Sequence, residues 1–120
     1  EKMNELQLEG VNFRPIVFKP FYGKYAKKTL NGVQIHITDF PKLNLMDVQF
    51  HFLEVHNKLY PEKNPFVLCE PSRLSMFDKV CGTDKIRALF TKSFKFDDIK
   101  DYLRKDVERF KDVSKKYYMY

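Results

Sequence analysis

A chain of 120 residues accommodates one domain with a single core and leaves no room for a second. Its composition, 43% hydrophobic and 16% aromatic with twelve Phe and seven Tyr, excludes a disordered segment, which would lack the side chains that supply core area. Lys and Arg number 22 against 16 Asp and Glu, a formal charge of +6; this admits either an anionic partner or a solvated basic surface, while scattered lysines and the lack of a recognition motif speak against nucleic acid.

The first eight residues set Met3, Leu6 and Leu8 among polar neighbours ahead of Gly10, predicting the last turns of a helix stopped by glycine. A helix at the very start of a chain that opens on Glu1 rather than Met predicts a processed or truncated product. Val11 to Phe21 reads as extended. Val11 and Phe13 alternate, Pro15 interrupts, and Ile16 and Phe18 resume on a shifted register, so an edge strand or a bulge is expected.

A lysine-bearing loop, residues 21–31, leads to the clearest strand, Gly32 to Thr38. Val33, Ile35 and Ile37 alternate there with Gln34, His36 and Thr38, the pattern of a half-buried antiparallel strand. Leu45, Val48, Phe52, Val55 and Leu59 recur at helical spacing behind Asn44, a fitting N-cap, and Pro61 stops that helix. A connection follows with a short extended piece, Phe66 to Cys69. Ser72 to Val80 is predicted helical and ended by Gly82, and Thr83 caps a second short helix that turns Ile86, Leu89 and Phe90 inward.

The last element is predicted as one long helix from about Asp97 to Tyr117, with Ile99, Leu103, Val107, Phe110 and Val113 as its stripe. Tyr117, Tyr118, Met119 and Tyr120 then form an aromatic tail that packs on the domain's own sheet or on a neighbour. The expected fold is α+β: a small, mostly antiparallel sheet packed with three to five helices in a single domain.

No complete chemical motif is present. No apolar run approaches the ~18 residues of a membrane span. Cys69 and Cys81 lack metal-ligand spacing and any CxxC arrangement; they form a disulfide in an exported protein or stay as buried thiols. His51 and His56 are five residues apart, about 140° around a helix, and so are rim histidines rather than a ligand pair. His36 is of greater interest because it shares a strand face with Gln34 and Thr38, and Asp39 follows. Such a face is either solvated or lines a pocket, and Lys24 and Tyr25 approach it if the flanking strands pair. Glycoside hydrolysis needs two carboxylates at a defined separation; Asp39 and Asp78 are present, but their spacing does not mark them as such a pair.

Taken in order, the short motifs are more specific than any one of them. Gly10-Val11 and Phe13-Arg14-Pro15 precede Phe18 and Pro20, then Lys24-Tyr25, then the run Gly32 to Asp39. Leu59-Tyr60-Pro61, the stretch from Phe77-Asp78 to Gly82-Thr83, and a closing helix ending in Tyr118-Met119-Tyr120 complete the series. Over nearly its whole length the chain resembles the C-terminal domain of the NamZ-type bacterial exo-β-N-acetylmuramidase family of peptidoglycan recycling. It departs from that pattern in the loop before Gly32 and in a short stretch from Glu62 to Leu74.

The resemblance implies an auxiliary domain, residues 1–120, of a two-domain protein of the bacterial envelope, periplasmic or extracellular. An N-terminal Rossmann-like domain would carry the principal catalytic groups and release N-acetylmuramic acid from the non-reducing ends of peptidoglycan fragments. It also implies that Arg14, Lys24, Tyr25, Gln34, His36 and Asp39 turn towards the interdomain cleft and hold the sugar or its lactyl carboxylate. No catalytic residue, metal ligand or cofactor is expected in this chain. The partners expected are the Rossmann-like domain and peptidoglycan fragments, without nucleic acid or a membrane span. The alternative is a non-catalytic binding module for peptidoglycan or an acidic polysaccharide.

Overall fold

The structure, a computed structural model, describes residues 1–119; Tyr120, the end of the aromatic tail, lies outside the described residues. It is a small α+β fold, as expected. Strands β1 (Val11–Phe18) and β2 (Leu30–Ile37) form a two-stranded antiparallel sheet. The helices are α1 (Lys2–Glu5), α2 (Leu45–Leu59), α3 (Pro65–Leu68), α4 (Pro71–Cys81), α5 (Lys85–Phe90), α6 (Lys100–Arg104) and α7 (Val107–Ser114). Packing divides the chain into two units, residues 1–48 and residues 49 onward.

The first unit is built on the β1–β2 ribbon. The opening helix stops earlier than the sequence pattern predicts: α1 ends before Leu6, and Gln7 takes a φ of 50°, where a side chain breaks the helix without waiting for glycine. Gly10 serves a different purpose. Its φ is +73°, and its carbonyl accepts the N–H groups of Thr38 at 2.9 Å and Asp39 at 3.3 Å; a Cβ there would collide with the Asp39 carbonyl. Gly10 thereby ties the end of β2 to the start of β1.

Pairing runs residue against residue from Val11 opposite Ile37 to Phe18 opposite Leu30. Of the two alternatives expected at Pro15, the edge strand is the one observed and no bulge interrupts the pairing. The reason lies at the outer edge of β1, where the Asn4 side chain donates to the Phe13 carbonyl (2.8 Å) and accepts the Phe13 N–H (2.9 Å). Phe13 thus turns its backbone groups away from β2, and Pro15, two residues on, points its nitrogen the same way, so its missing N–H costs no ladder bond. Asn4 also blunts an edge that would otherwise be open to pairing.

Val11 and Phe13 are buried, but Val33, Ile35 and Ile37, on the same face of the ribbon, keep 45%, 51% and 47% of their surface exposed. The predicted alternation is present, whereas the predicted burial is reached only on the β1 side. Among the described residues the sheet has only these two strands.

The second unit carries an aromatic core. Phe50, Ile86, Phe90, Phe96 and Ile99 are buried together, with Leu53, Phe66, Phe77 and Leu89 packed against them. Phe50 meets Phe90 edge-on at 5.1 Å, and Phe66 meets Phe77 edge-on at 5.2 Å, the edge-to-face geometry that ring quadrupoles favour. Helix α2 starts where predicted, with Asn44 Oδ1 accepting the N–H groups of Met46 (3.1 Å) and Asp47 (3.2 Å). Its core face differs from the predicted stripe. Val48 of that stripe is buried and Val55 half-buried, but Phe50 and Leu53 enter the aromatic core while Leu45, Phe52 and Leu59 are exposed. Apolar residues surround much of α2, so periodicity alone fits more than one stripe.

Of the piece expected to be extended, Phe66 to Leu68 is helical and only Cys69, which ends α3, takes extended geometry. The buried Asn64 caps α3 by accepting the Phe66 N–H at 2.9 Å, and Pro65 occupies the first helical position, where a proline is well placed. Gly82, at φ +72°, ends α4 as predicted, with the Thr83 N–H bonded to the Asp78 carbonyl at 3.0 Å. Thr83 Oγ1 accepts the Lys85 N–H ahead of α5, and Ile86 and Phe90 are buried as expected.

The long closing helix is broken into a 3₁₀ turn at Phe96–Asp98, then α6, α7 and a second 3₁₀ turn at Lys115–Tyr117. Glu54 on α2 accepts the Phe96 N–H at 2.8 Å, which anchors the first turn. Asp106, at φ −112° and ψ 2°, leaves helical geometry between α6 and α7. Only Ile99 and Leu103 of the predicted stripe reach the core; Val107, Phe110 and Val113 are exposed.

Candidate functional site

Antiparallel pairing places cross-strand partners on one face of a sheet. Asn12 stands opposite His36, and Arg14 stands opposite Gln34. Two adjacent pairs therefore make a four-residue polar face on the side of the ribbon opposite Val11 and Phe13. Arg14, Gln34 and Asn12 are exposed, and no carboxylate pairs with Arg14 among the described residues. His36 is half-buried, and its Nε2 is shielded from solvent without a hydrogen-bond partner within the described residues. Chemically the face offers a planar cation with several donors, two amides and an imidazole. That is a donor-rich surface suited to a carboxylate and to sugar hydroxyl or amide groups.

Three of the six predicted site residues, Arg14, Gln34 and His36, come together here. Asn12 belongs with them, and its signal is visible only once the register is known, because nothing near it in the sequence ties it to His36. Lys24 and Tyr25 lie in the hairpin loop beyond the Phe18–Leu30 end of the ribbon, with the Lys24 ammonium 5.7 Å from the centre of the Tyr25 ring. His36 is six residues along β2 from that end, roughly 20 Å at about 3.3 Å per residue. Among the described residues no hydrogen bond or ion pair joins Lys24 or Tyr25 to the polar face. Asp39 is engaged elsewhere, pairing with Lys42 at 3.3 Å while its backbone N–H is held by Gly10.

The other chemically interesting groups have structural partners. Asp78 on α4 receives a two-pronged interaction from Arg87 on α5, with both contacts at 2.7 Å. The hydrogen bonds from Arg87 hold the Asp78 carboxyl below its ordinary range. Cys69 and Cys81 are both free thiols, and burial pushes the Cys81 thiol up, away from the reactive thiolate form. His51 stacks on Phe96 at 4.2 Å, and His56 lies between Phe52 and Tyr60 along α2. Among the described residues no cluster of three or more His, Cys, Asp or Glu is arranged to hold a metal ion, and no helix is long and apolar enough to cross a membrane.

Comparison with known proteins agrees with the ordered motifs. The family model for the C-terminal part of the exo-beta-N-acetylmuramidase NamZ matches residues 1–120. The peptidoglycan beta-N-acetylmuramidase NamZ of Bacillus subtilis is 29% identical over 120 residues, which is 100% of this chain and 28% of that protein. A crystal structure of a DUF1343 family protein from Bacteroides fragilis is 41% identical and superposes with a TM-score of 0.94, covering 99% of this chain and 31% of the other. The chain thus spans under a third of the length of both relatives. Fold, motif order and matched length lead to one conclusion: the chain belongs to the family of C-terminal domains of NamZ exo-β-N-acetylmuramidases.

Proposed function

We propose that this chain is the C-terminal domain of a cell-wall glycoside hydrolase that releases N-acetylmuramic acid from the non-reducing ends of peptidoglycan fragments. On this reading the polar face of the ribbon borders the substrate cleft beside an amino-terminal Rossmann-like domain, and the whole protein works in peptidoglycan recycling, in the periplasm or outside the cell. The observation that carries the reading is the alignment of Asn12, Arg14, Gln34 and His36 on one face, within a chain of this family.

The division of labour follows from the chemistry available. Cleaving a glycosidic bond takes one carboxyl group as acid and another as base or nucleophile, on opposite sides of the bond. Asp39 and Asp78 are engaged by Lys42 and Arg87, so this chain contributes binding and orientation, and the amino-terminal domain contributes the principal catalytic groups. Arg14 presents the donor fork that a lactyl carboxylate accepts in two parallel bonds, a contact that separates muramic acid from N-acetylglucosamine. Gln34 and Asn12 supply amides for the acetamido and hydroxyl groups. His36 adds a half-buried imidazole beside them.

The test is release of a chromogenic aglycone from an N-acetylmuramide by the whole gene product, with residues 1–120 alone assayed beside it. Turnover by the whole product and none by the isolated domain is the expected result. Turnover by the isolated domain, or none by the whole product, overturns the reading.

A further inference from the structure

Helix α7 and the 3₁₀ turn that continues it divide cleanly by chemistry. At about 100° per residue, Val107, Phe110, Val113 and Tyr117 fall on one side and the charged residues on the other. On the charged side Lys111 is bonded to Glu108 at 2.8 Å and Lys115 to Asp112 at 2.9 Å. The apolar side is uncovered: Phe110 is 70% exposed and Tyr117 is 76% exposed. In α6, immediately before it, Tyr102 and Leu103 pack on the core. The chain thus leaves the core at Lys105–Asp106 and carries a contiguous aromatic stripe into solvent. Single exposed apolar residues need no explanation, but a stripe of this kind marks an interaction surface.

We propose that the stripe of Val107, Phe110, Val113 and Tyr117 is the docking surface for the amino-terminal region of the same polypeptide. Coverage points to that occupant. The match leaves 72% of the Bacillus subtilis relative (100 − 28) and 69% of the Bacteroides fragilis chain (100 − 31) outside it. The likeness to the Bacteroides fragilis structure extends over 99% of this chain, so the arm is part of what superposes, in a crystal that includes the larger remainder. The proposal rests on family membership and is independent of the sugar site, and its test reads accessibility rather than turnover.

The experiment is thiol labelling of the whole gene product in a Cys69→Ser, Cys81→Ala background. Phe110→Cys and Val113→Cys report on the stripe, and Asp112→Cys and Lys116→Cys report on the charged side. Val113→Cys leaves Phe110 in place should that ring be needed for docking. In the monomeric protein, maleimide reacts with the two stripe positions at least about tenfold more slowly than with the charged-side positions, because labelling there requires the interface to open. Equal rates overturn the proposal. Protection that arises only at concentrations where the measured mass is that of a dimer overturns it in favour of a second copy. Protection that needs added vesicles of anionic phospholipid overturns it in favour of a membrane surface.

Discussion

Arg14 and Gln34 stand directly opposite each other in the β1–β2 ribbon, and the next pair on the same face is Asn12 with His36. That relationship depends on register. A slip of one residue would send Arg14 to the face of Val11 and Phe13 and dissolve the polar group. Gly10 at the end of the ribbon, whose carbonyl accepts the Thr38 and Asp39 N–H groups, is a local feature that holds the register.

Gly10 and Gly82 share nearly the same backbone angle, at φ +73° and +72°, in very different surroundings. At Gly82 a Cβ meets nothing within 4 Å, so Gly82→Ala costs only the left-handed strain of about 1–2 kcal/mol. Gly10→Ala carries the same strain and adds a collision with the Asp39 carbonyl and with Leu43, an overpacking cost of about 1–3 kcal/mol more. Urea unfolding of the two variants checks the order, with Gly10→Ala the less stable.

The Asp78–Arg87 pair makes stability depend on pH in a definite direction. The Asp78 carboxyl is held below its ordinary value by Arg87, so it stays ionised in the folded chain at a pH where the unfolded chain takes up a proton. Its contribution is complete above the unfolded value, near pH 4, and is lost as pH falls through the lowered folded value. Asp78→Asn therefore melts a few degrees below the wild type at neutral pH, and the gap narrows as the pH is taken towards 2. Melting curves across that range check the sign.

The fully buried rings make the second unit sensitive to truncation. Phe50 and Phe90 have no exposed surface and pack edge to face. Phe50→Ala or Phe90→Ala is expected to cost about 3–5 kcal/mol. Phe52 lies on the same helix as Phe50 but is exposed, and Phe52→Ala is expected to cost under about 1 kcal/mol. Denaturant unfolding distinguishes this core from the one that the sequence periodicity of α2 suggests, in which Phe52 is the inward residue.

Local signals were the legible ones. Asn44 before an apolar-periodic run, Gly82 after one, and Thr83 ahead of the next each act through the backbone a few residues away, so their effects are visible without the fold. The Asn64-Pro65 cap belongs to the same class, although the β-branched and aromatic residues beside it favour an extended reading of residues 66–69. Facts set by distant neighbours were not legible. The inward face of α2 depends on what packs against it, and the break at Asp106 on how far the core extends. On the polar face, Gln34 and His36 are legible from strand alternation and Arg14 from motif order, whereas Asn12 is joined to them only by strand pairing.

The most direct measurement is the steady-state kinetics of the whole gene product, wild type and Arg14→Gln, on an aryl N-acetylmuramide and on the same glycoside with its lactyl carboxyl converted to an amide. Losing a hydrogen-bonded charge contact worth about 1.5–3 kcal/mol raises KM for the muramide by roughly tenfold or more. The amide substrate, which has no charge for Arg14 to hold, shows little difference between the two proteins. Identical KM values for wild type and Arg14→Gln on the muramide would contradict the assignment of the ribbon's polar face to the substrate site.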